Sequence, residues 1–422
     1  MFDIDKFYYD AEQGEQADVD GFRDYLNSFE RVIIWGAGNL GTALGKGLIE
    51  RDYGVDCYWD KDFLNIHERN GLRVYEPFTG DQEPKTTLVI IGIVNGTLSH
   101  TWQKYVLEEK GYHNYVLGMR VYEAIVCSQS LSKPFDVKEC VHTSICNFNT
   151  CHRYMNIIGE GRHKTGLSVH VLEIIVSSRC TLDCKYCGQQ AGDTKRRFPE
   201  KYLDYDVDEI KKSIDLVMDR LDIVGTFSII GGEPFIHPGI AEILRHCLSK
   251  ENVGIISITT NGVFKLDEEL LDVLGDDRIK VNFSNYTAFL DDRKKEIFEK
   301  NVRIIKDKGI SCNVGTPIWN KVIDDLKDNP IFEDEYLDKR KEICVFGPSI
   351  AGKYLYACPN TERYSRMEIH DVSDEVIDLF ADEDKLEDKL RELLEKGHYV
   401  ACRYMCANGK EAPIIPAGEQ YR

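Results

Sequence analysis

The chain opens polar, then sets short apolar runs against segments whose apolar residues recur every three or four positions. Arg31–Trp35 reads as a buried strand followed by a helix to about Arg51. Val55–Trp59 and Thr87–Val94 read as further strands, and Trp102–Lys110 has helical spacing. From Cys127 to about Lys164 the periodicity fades into a polar connector. Strands and helices then alternate: Val169–Ser177, Phe227–Ile230, Gly254–Thr259, Lys280–Ser284 and Ser311–Pro317 are strands, and Val207–Leu221, Ile240–Ser249, Glu268–Leu274 and Arg293–Lys308 are the helices between them. Repeats of this size predict an α/β fold with a parallel sheet, in which chemistry belongs at the C-terminal ends of the strands. Further on, Gly352–Cys358 reads as a hairpin strand. Asp371–Lys396 is acidic, with helical apolar spacing at Val376, Leu379, Leu386, Leu390, Leu393 and Leu394, and its charges read as a solvated face.

Length and charge narrow this picture. A chain of 422 residues is long enough for two or three domains, each with its own core. The net charge of -19 would repel a phosphate backbone, which argues against a nucleic-acid partner. The longest apolar run, Leu88–Val94, is far short of a membrane span, and Met1–Asp10 is acidic, not basic and apolar. A cytoplasmic enzyme acting on small or neutral substrates is the expectation.

Gly36, Gly38 and Gly41 form a G-x-G-x-x-G run between the first strand and its helix, where glycines permit a tight turn and close approach to a phosphate. Asp60 ends the second strand, about where a dinucleotide fold places its ribose-binding acid. Residues 1–125 are thus expected to form a Rossmann-like domain that holds a nucleotide or nucleotide-linked sugar. In the alternative, the domain is a scaffold whose glycines serve turn geometry, and Asp60 is a solvated strand-end acid.

Fourteen cysteines in a chain without a secretion signal point to metal or catalysis instead of disulfides. Cys180, Cys184 and Cys187 follow a strand in the spacing Cys-x3-Cys-x2-Cys. Cys344, Cys358, Cys402 and Cys406 form a second group, and Cys127, Cys140, Cys146 and Cys151 a third. Cubane 4Fe-4S clusters take four thiolates, so three at short spacing leave one iron open to a non-protein ligand. For the triplet alone, a zinc knuckle or chance crowding is the alternative.

The triplet, with Tyr186 just before its last cysteine, resembles the radical S-adenosylmethionine (SAM) superfamily. Gly231, Gly232, Glu233 and Pro234, one strand-helix-strand step later, resemble that family's GGEP element. The resemblance implies a partial (β/α)6 barrel over residues 166–330, preceded by a cysteine-rich connector at 126–165. It further implies a 4Fe-4S cluster on Cys180, Cys184 and Cys187 whose open iron is chelated by SAM, and reductive cleavage of SAM to a 5'-deoxyadenosyl radical. The GGEP element would hold the amino group of SAM, while Thr259, Thr260, Asn261 and Ser284 would contact its ribose and carboxylate or the substrate. Residues 331–422 are similar to SPASM and twitch extensions, with Cys344, Cys358, Cys402 and Cys406 holding one auxiliary 4Fe-4S cluster; zinc on the same four is the alternative. A flavodoxin or ferredoxin is the implied electron donor.

Three assignments stay open at the level of sequence. Cys312, in the fifth barrel strand, is a candidate hydrogen-atom donor, although a cysteine early in a strand also serves as packing. The connector cysteines could hold a third cluster or zinc, with His142 and His152 as substitute ligands, or remain plain thiols. The substrate is expected to be a carbohydrate or nucleotide-linked sugar, oxidised or epimerised. A peptide to be modified, or a SAM- or redox-responsive binding protein without turnover, are the competing readings.

Overall fold

The computed structural model describes residues 2–13, 17–79, 83–93, 101–127, 165, 167–317, 319–320, 337, 344, 346–404 and 414–421. The chain divides into two compact units, Met1–Ile157 and Ile158–Arg422. Among the described residues no helix is long and apolar enough to cross a membrane.

The first unit is built on a sheet of β1 (Arg31–Trp35), β2 (Cys57–Trp59), β3 (Glu68–Arg69), β4 (Leu72–Tyr75), β5 (Thr87–Ile91) and β6 (Tyr115–Leu117). Their order is β3-β4-β2-β1-β5-β6, parallel except between β3 and β4. Val32, Ile34, Tyr58, Leu88 and Ile90 pack on one face; Ile33, Trp59, Val89 and Ile91 pack on the other with Leu107 and Tyr112. Burial on both faces accounts for the unbroken apolar runs of these strands. The polar start of the chain holds two helices, Ile4–Gln13 and Val19–Asn27. Each buries a short stripe, Phe7 with Ala11 and Phe22 with Leu26, and the rings of Phe7 and Phe22 stack at 4.7 Å. Stripes this sparse did not stand out against the acidic background.

In the second unit β7 (Ser168–Ser177), β8 (Ile223–Gly231), β9 (Val253–Thr260), β10 (Ile279–Ser284), β11 (Cys312–Gly315), β12 (Trp319–Asn320), β13 (Ser349–Ala351), β14 (Tyr354–Tyr356), β15 (Val376–Asp378) and β16 (Ile414–Ile415) follow one another. One sheet runs β11-β10-β9-β8-β7-β13-β14-β15, and β12 pairs with β16. From β11 through β13 the pairing is parallel, so the sixth parallel strand joins beside β7, and the C-terminal hairpin continues the same sheet. Helices cover one face. Leu172, Ile174, Phe227, Ile229, Ile256, Ile258 and Val281 meet Ile210, Ile214, Ile243, Leu244, Leu270 and Phe298 there in a continuous core.

Several boundaries differ from the pattern-based expectation, and two of the differences have a visible cause. The helix from Val207, capped by Asp206 on the amides of Asp208 and Glu209, stops at Met218. The chain must turn there, because the Asp222 amide already bonds Leu167 O at 2.7 Å and β8 starts at Ile223 to match the long β7. The acidic stretch 371–396 is not one helix: Val376 lies in β15, paired with β14, and Leu386–Glu395 alone is α-helical. Cross-strand pairing of Leu355 with Ile377 overrides the helical spacing at that end.

Candidate active site

Beyond β7 the chain forms the loop that carries the cysteine triplet. The Ser177 hydroxyl donates to Asp204 Oδ1 at 2.6 Å, Arg179 pairs with Asp204 at 2.6 Å, and the Cys180 amide donates to the Tyr202 hydroxyl at 3.1 Å. Thus anchored, the loop gathers Cys180, Cys184 and Cys187 with Leu182, Val263, Tyr286, Leu290 and Ala417 in one apolar cluster. Each of two sulfurs receives donors: Cys180 Sγ from the Leu182 amide and Asn261 Nδ2, both at 3.4 Å, and Cys184 Sγ from Gln420 Nε2 at 3.0 Å. Burial, then Cys187, pushes the Cys184 thiol up to about 12. Burial, then Glu233, holds Cys180 well above the ordinary thiol range. Tyr186 has a left-handed backbone, φ 56°, and is 49% exposed.

Gly231–Pro234 is fastened to the start of this loop: the Gly232 amide donates to Ser177 O at 2.8 Å and the Glu233 amide to Arg179 O at 2.7 Å. A Cβ on Gly232 would collide with the Arg179 carbonyl, so the approach requires glycine. The Glu233 side chain is fully buried. It accepts from the Thr260 hydroxyl at 2.7 Å, the Asn261 amide at 2.8 Å and the Phe235 amide at 3.1 Å. Burial nonetheless pushes it up to about 7. Its carboxylate therefore organises the Thr260–Asn261 corner and, through Asn261, the Cys180 sulfur. Thr259 is exposed at the end of β9, and Ser284 shares a hydrogen bond with the Tyr286 phenol.

The face of the second sheet opposite its helices is polar. Ser349, Glu173, Ser228, Ser257 and Lys280 lie in register across β13, β7, β8, β9 and β10. One step nearer the cysteines follow Thr259, Asn282 and Asn313, with Asn282 Nδ2 donating to Ser257 Oγ at 2.8 Å. Glu173, Ser257 and Lys280 were missed in the sequence because each sits inside an apolar run; the signal was the alternation of polar residues along β9 and β10.

Residues 174–328 match the family model for the radical SAM superfamily. This stretch is a radical SAM domain. Curated relatives that resemble the chain include GTP 3',8-cyclase of Chlorobaculum tepidum, 35% identical over 105 residues, which cover 25% of this chain and 29% of that protein. Another is the antilisterial bacteriocin subtilosin biosynthesis protein AlbA of Bacillus subtilis, 27% identical over 163 residues, 36% of this chain and 34% of that protein. The chain thus spans about a third of the length of these relatives. Among solved structures, BtrN in complex with AdoMet and 2-DOIA is similar with a TM-score of 0.33 at 13% identity, over 60% of this chain and 97% of that one. Streptococcus suis SuiB bound to S-adenosylmethionine gives 0.27 at 20% identity, over 39% and 36%.

A radical SAM domain calls for a 4Fe-4S cluster and SAM, and the donor set suits the cluster. Three sulfurs lie in an apolar setting, two of them already receiving N–H donors. Among the described residues no three His, Cys, Asp or Glu side chains converge on a point fit for a single ion. Ligands of a cubane hold different irons, so the thiols need only surround a common space.

The remaining expected site residues fall elsewhere. Cys312 opens β11 in register with Val281 and packs against the helix-side core, the position of a packing residue facing away from the polar face. Cys358 precedes the helix Pro359–Arg366; it feels Cys402 and Cys344 electrostatically, and all three act on the buried Tyr399 phenol. Cys406 lies outside the described residues, as do Cys140, Cys146 and Cys151, together with His142 and His152. Cys127 follows the helical turn Tyr122–Val126. In the first unit Gly36 has φ 116°, and a Cβ on Gly41 would collide with Gly36 O. The Asp60 carboxylate accepts from the Ala37 amide at 2.7 Å and the Asp62 amide at 2.9 Å, so it bonds the glycine loop itself and already has partners within the chain.

Proposed function

We propose that this protein abstracts a hydrogen atom from a carbon of a polar small molecule, a carbohydrate or nucleotide-linked sugar, and releases it oxidised or epimerised. The observation that carries this reading is the row Ser349, Glu173, Ser228, Ser257 and Lys280, with Asn282 one step nearer the cysteines, on the polar face of the sheet. Within that row Ser349 and Glu173 are buried, and the half-buried hydroxyls of Ser228 and Ser257, the Asn282 amide and the Lys280 amine offer both donors and acceptors to a substrate rich in hydroxyl groups. When bound at Cys180, Cys184 and Cys187, the cluster and SAM supply the 5'-deoxyadenosyl radical. Glu233 and Asn261 keep the loop and the strand ends in register, and the apolar wall of Leu182, Val263 and Leu290 excludes water from the reacting carbon.

Cys344, Cys358 and Cys402, with Cys406, would hold an auxiliary cluster that accepts or relays an electron, which favours oxidation; a flavodoxin or ferredoxin would supply electrons to the barrel. The glycine loop of the first unit, at the N-terminus of the helix Asn39–Ile49, supports a nucleotide-holding role. The name of the GTP 3',8-cyclase relatives points to a nucleotide as well. A second reading, modification of a peptide, is favoured by the similarity to AlbA.

The test is anaerobic reconstitution with SAM and dithionite, followed by mass spectrometry of deuterated nucleotide-sugars and peptides. Deuterium arriving in 5'-deoxyadenosine from a sugar supports the proposal. Transfer from peptides alone replaces it with the second reading.

A further inference from the structure

The end of the chain is tied to the cysteine loop. After β16 pairs with β12, Ala417 enters the apolar cluster around the three cysteines. Gly418 turns with φ 86°, and a Cβ there would strike the Tyr286 ring. Residues 419–421 then run antiparallel to the loop, with Gln420 bridged to Cys184. The Lys185 amide donates to Glu419 O at 2.6 Å and the Tyr421 amide to Asp183 O at 2.8 Å. Lys185 Nζ meets Glu419 Oε1 at 2.6 Å, and the Arg196 guanidinium lies 4.3 Å from the Tyr421 ring.

Within this strap the carboxamide of Gln420 is fully engaged. Its oxygen accepts from the Asp183 amide at 2.9 Å. Its nitrogen donates to Gly418 O at 2.6 Å and to Cys184 Sγ at 3.0 Å. The Asp183 N–H requires an acceptor opposite it and the Gly418 carbonyl requires a donor, so the NH2 end is the one turned to the sulfur.

We propose that Gln420 is a positioning residue that sets the reduction potential of a cluster held by Cys180, Cys184 and Cys187. This rests on the reading that those cysteines hold a cluster. A hydrogen bond donated to a ligating thiolate draws negative charge from the sulfur and so favours the reduced state of the cluster. The strap is docked by the backbone bonds of Glu419 and Tyr421 and the Lys185–Glu419 ion pair as well as by the Gln420 oxygen on the Asp183 amide, so the protection of the Lys185 and Tyr421 amides in a variant separates tuning from docking.

The experiment compares the reconstituted full chain with Gln420→Leu and Gln420→Glu. Potentiometric titration is followed by electron paramagnetic resonance, using the signal that changes on adding SAM to identify the barrel cluster. Hydrogen exchange at the Lys185 and Tyr421 amides of the protein before reconstitution reports whether the strap is docked. The expected result is a lower midpoint potential in Gln420→Leu and a lower one still in Gln420→Glu, where a carboxylate oxygen faces the sulfur, with amide protection retained. Unchanged potentials in both variants overturn the proposal. So does a shift accompanied by lost protection, or a variant that keeps protection but takes up no iron, since Gln420 would then serve docking or assembly alone. A wild-type protein in which no signal responds to SAM, or a Cys180→Ala, Cys184→Ala, Cys187→Ala variant that keeps all its iron, refutes the cluster reading itself.

Discussion

Glu173 sits in the middle of β7 with 5% of its surface exposed, and burial alone pushes it up to about 8. Its proton is therefore held in the folded state across a range where the unfolded chain, with a carboxyl near ~4.3, has lost it. That contribution to stability is complete below ~4.3 and disappears as the pH rises to about 8. Glu173→Gln keeps the shape and cannot ionise. Relative to wild type it is expected to gain roughly 1–3 kcal/mol at about pH 8 over its difference at about pH 5, read from urea unfolding. An equal difference at both pH values would sink the assignment. At this scale the sequence was readable where chemistry is local: three cysteines and a Gly-Gly-Glu-Pro carry their meaning in their spacing. Glu173 was unreadable because an acid inside Leu172–Val176 looks like a misplaced residue until its register partners Ser228 and Ser349 are known. Gln420 was hidden because 236 positions separate it from Cys184, and a lone glutamine has no pattern.

Among the elements, the helix Pro359–Arg366 carries a buried ion pair, Arg366 Nε to Glu362 Oε1 at 2.7 Å, with side chains 5% and 1% exposed. Arg366 also donates to Gln189 O at 2.9 Å and to the Thr194 hydroxyl. Glu362→Leu alone leaves a buried guanidinium without its carboxylate and is expected to cost roughly 3–5 kcal/mol, whereas adding Arg366→Met should recover much of the loss. Thermal unfolding of the single and double variants checks this; equal destabilisation in both would argue that the pair is not the cause. In the first unit, a Cβ on Gly38 would meet nothing within 4 Å. Gly38→Val should accordingly leave the unfolding free energy within the scatter of surface changes, about ±0.5 kcal/mol, while abolishing nucleotide-sugar binding measured by calorimetry. Undiminished binding would count against a role for the glycine loop. Strands buried on both faces, such as Arg31–Trp35 and Thr87–Ile91, were legible as apolar runs. The segment 371–396 was not, because Val376–Asp378 becomes a strand only through the partner supplied by Tyr354–Tyr356.

For the whole molecule, two filled cubane sites imply about eight irons per chain, and a third on the connector cysteines would imply about twelve. Cys180→Ala, Cys184→Ala, Cys187→Ala together should remove about four irons and all 5'-deoxyadenosine formation, while Cys358→Ala with Cys402→Ala should remove a different four and leave SAM cleavage intact. Iron analysis with product chromatography decides, and SAM cleavage surviving the triple change would refute the assignment. The helix Pro359–Arg366 begins directly after one cysteine ligand candidate and ends on the carbonyl of Gln189, two positions past Cys187. Eight residues of helix span ~12 Å, a rigid rod from Cys358 to the edge of the loop that carries the cysteine triplet. A displacement at Cys358 is therefore passed by one stiff element to the backbone two positions past Cys187, so the two cysteine neighbourhoods are mechanically linked even though 171 positions of sequence separate them.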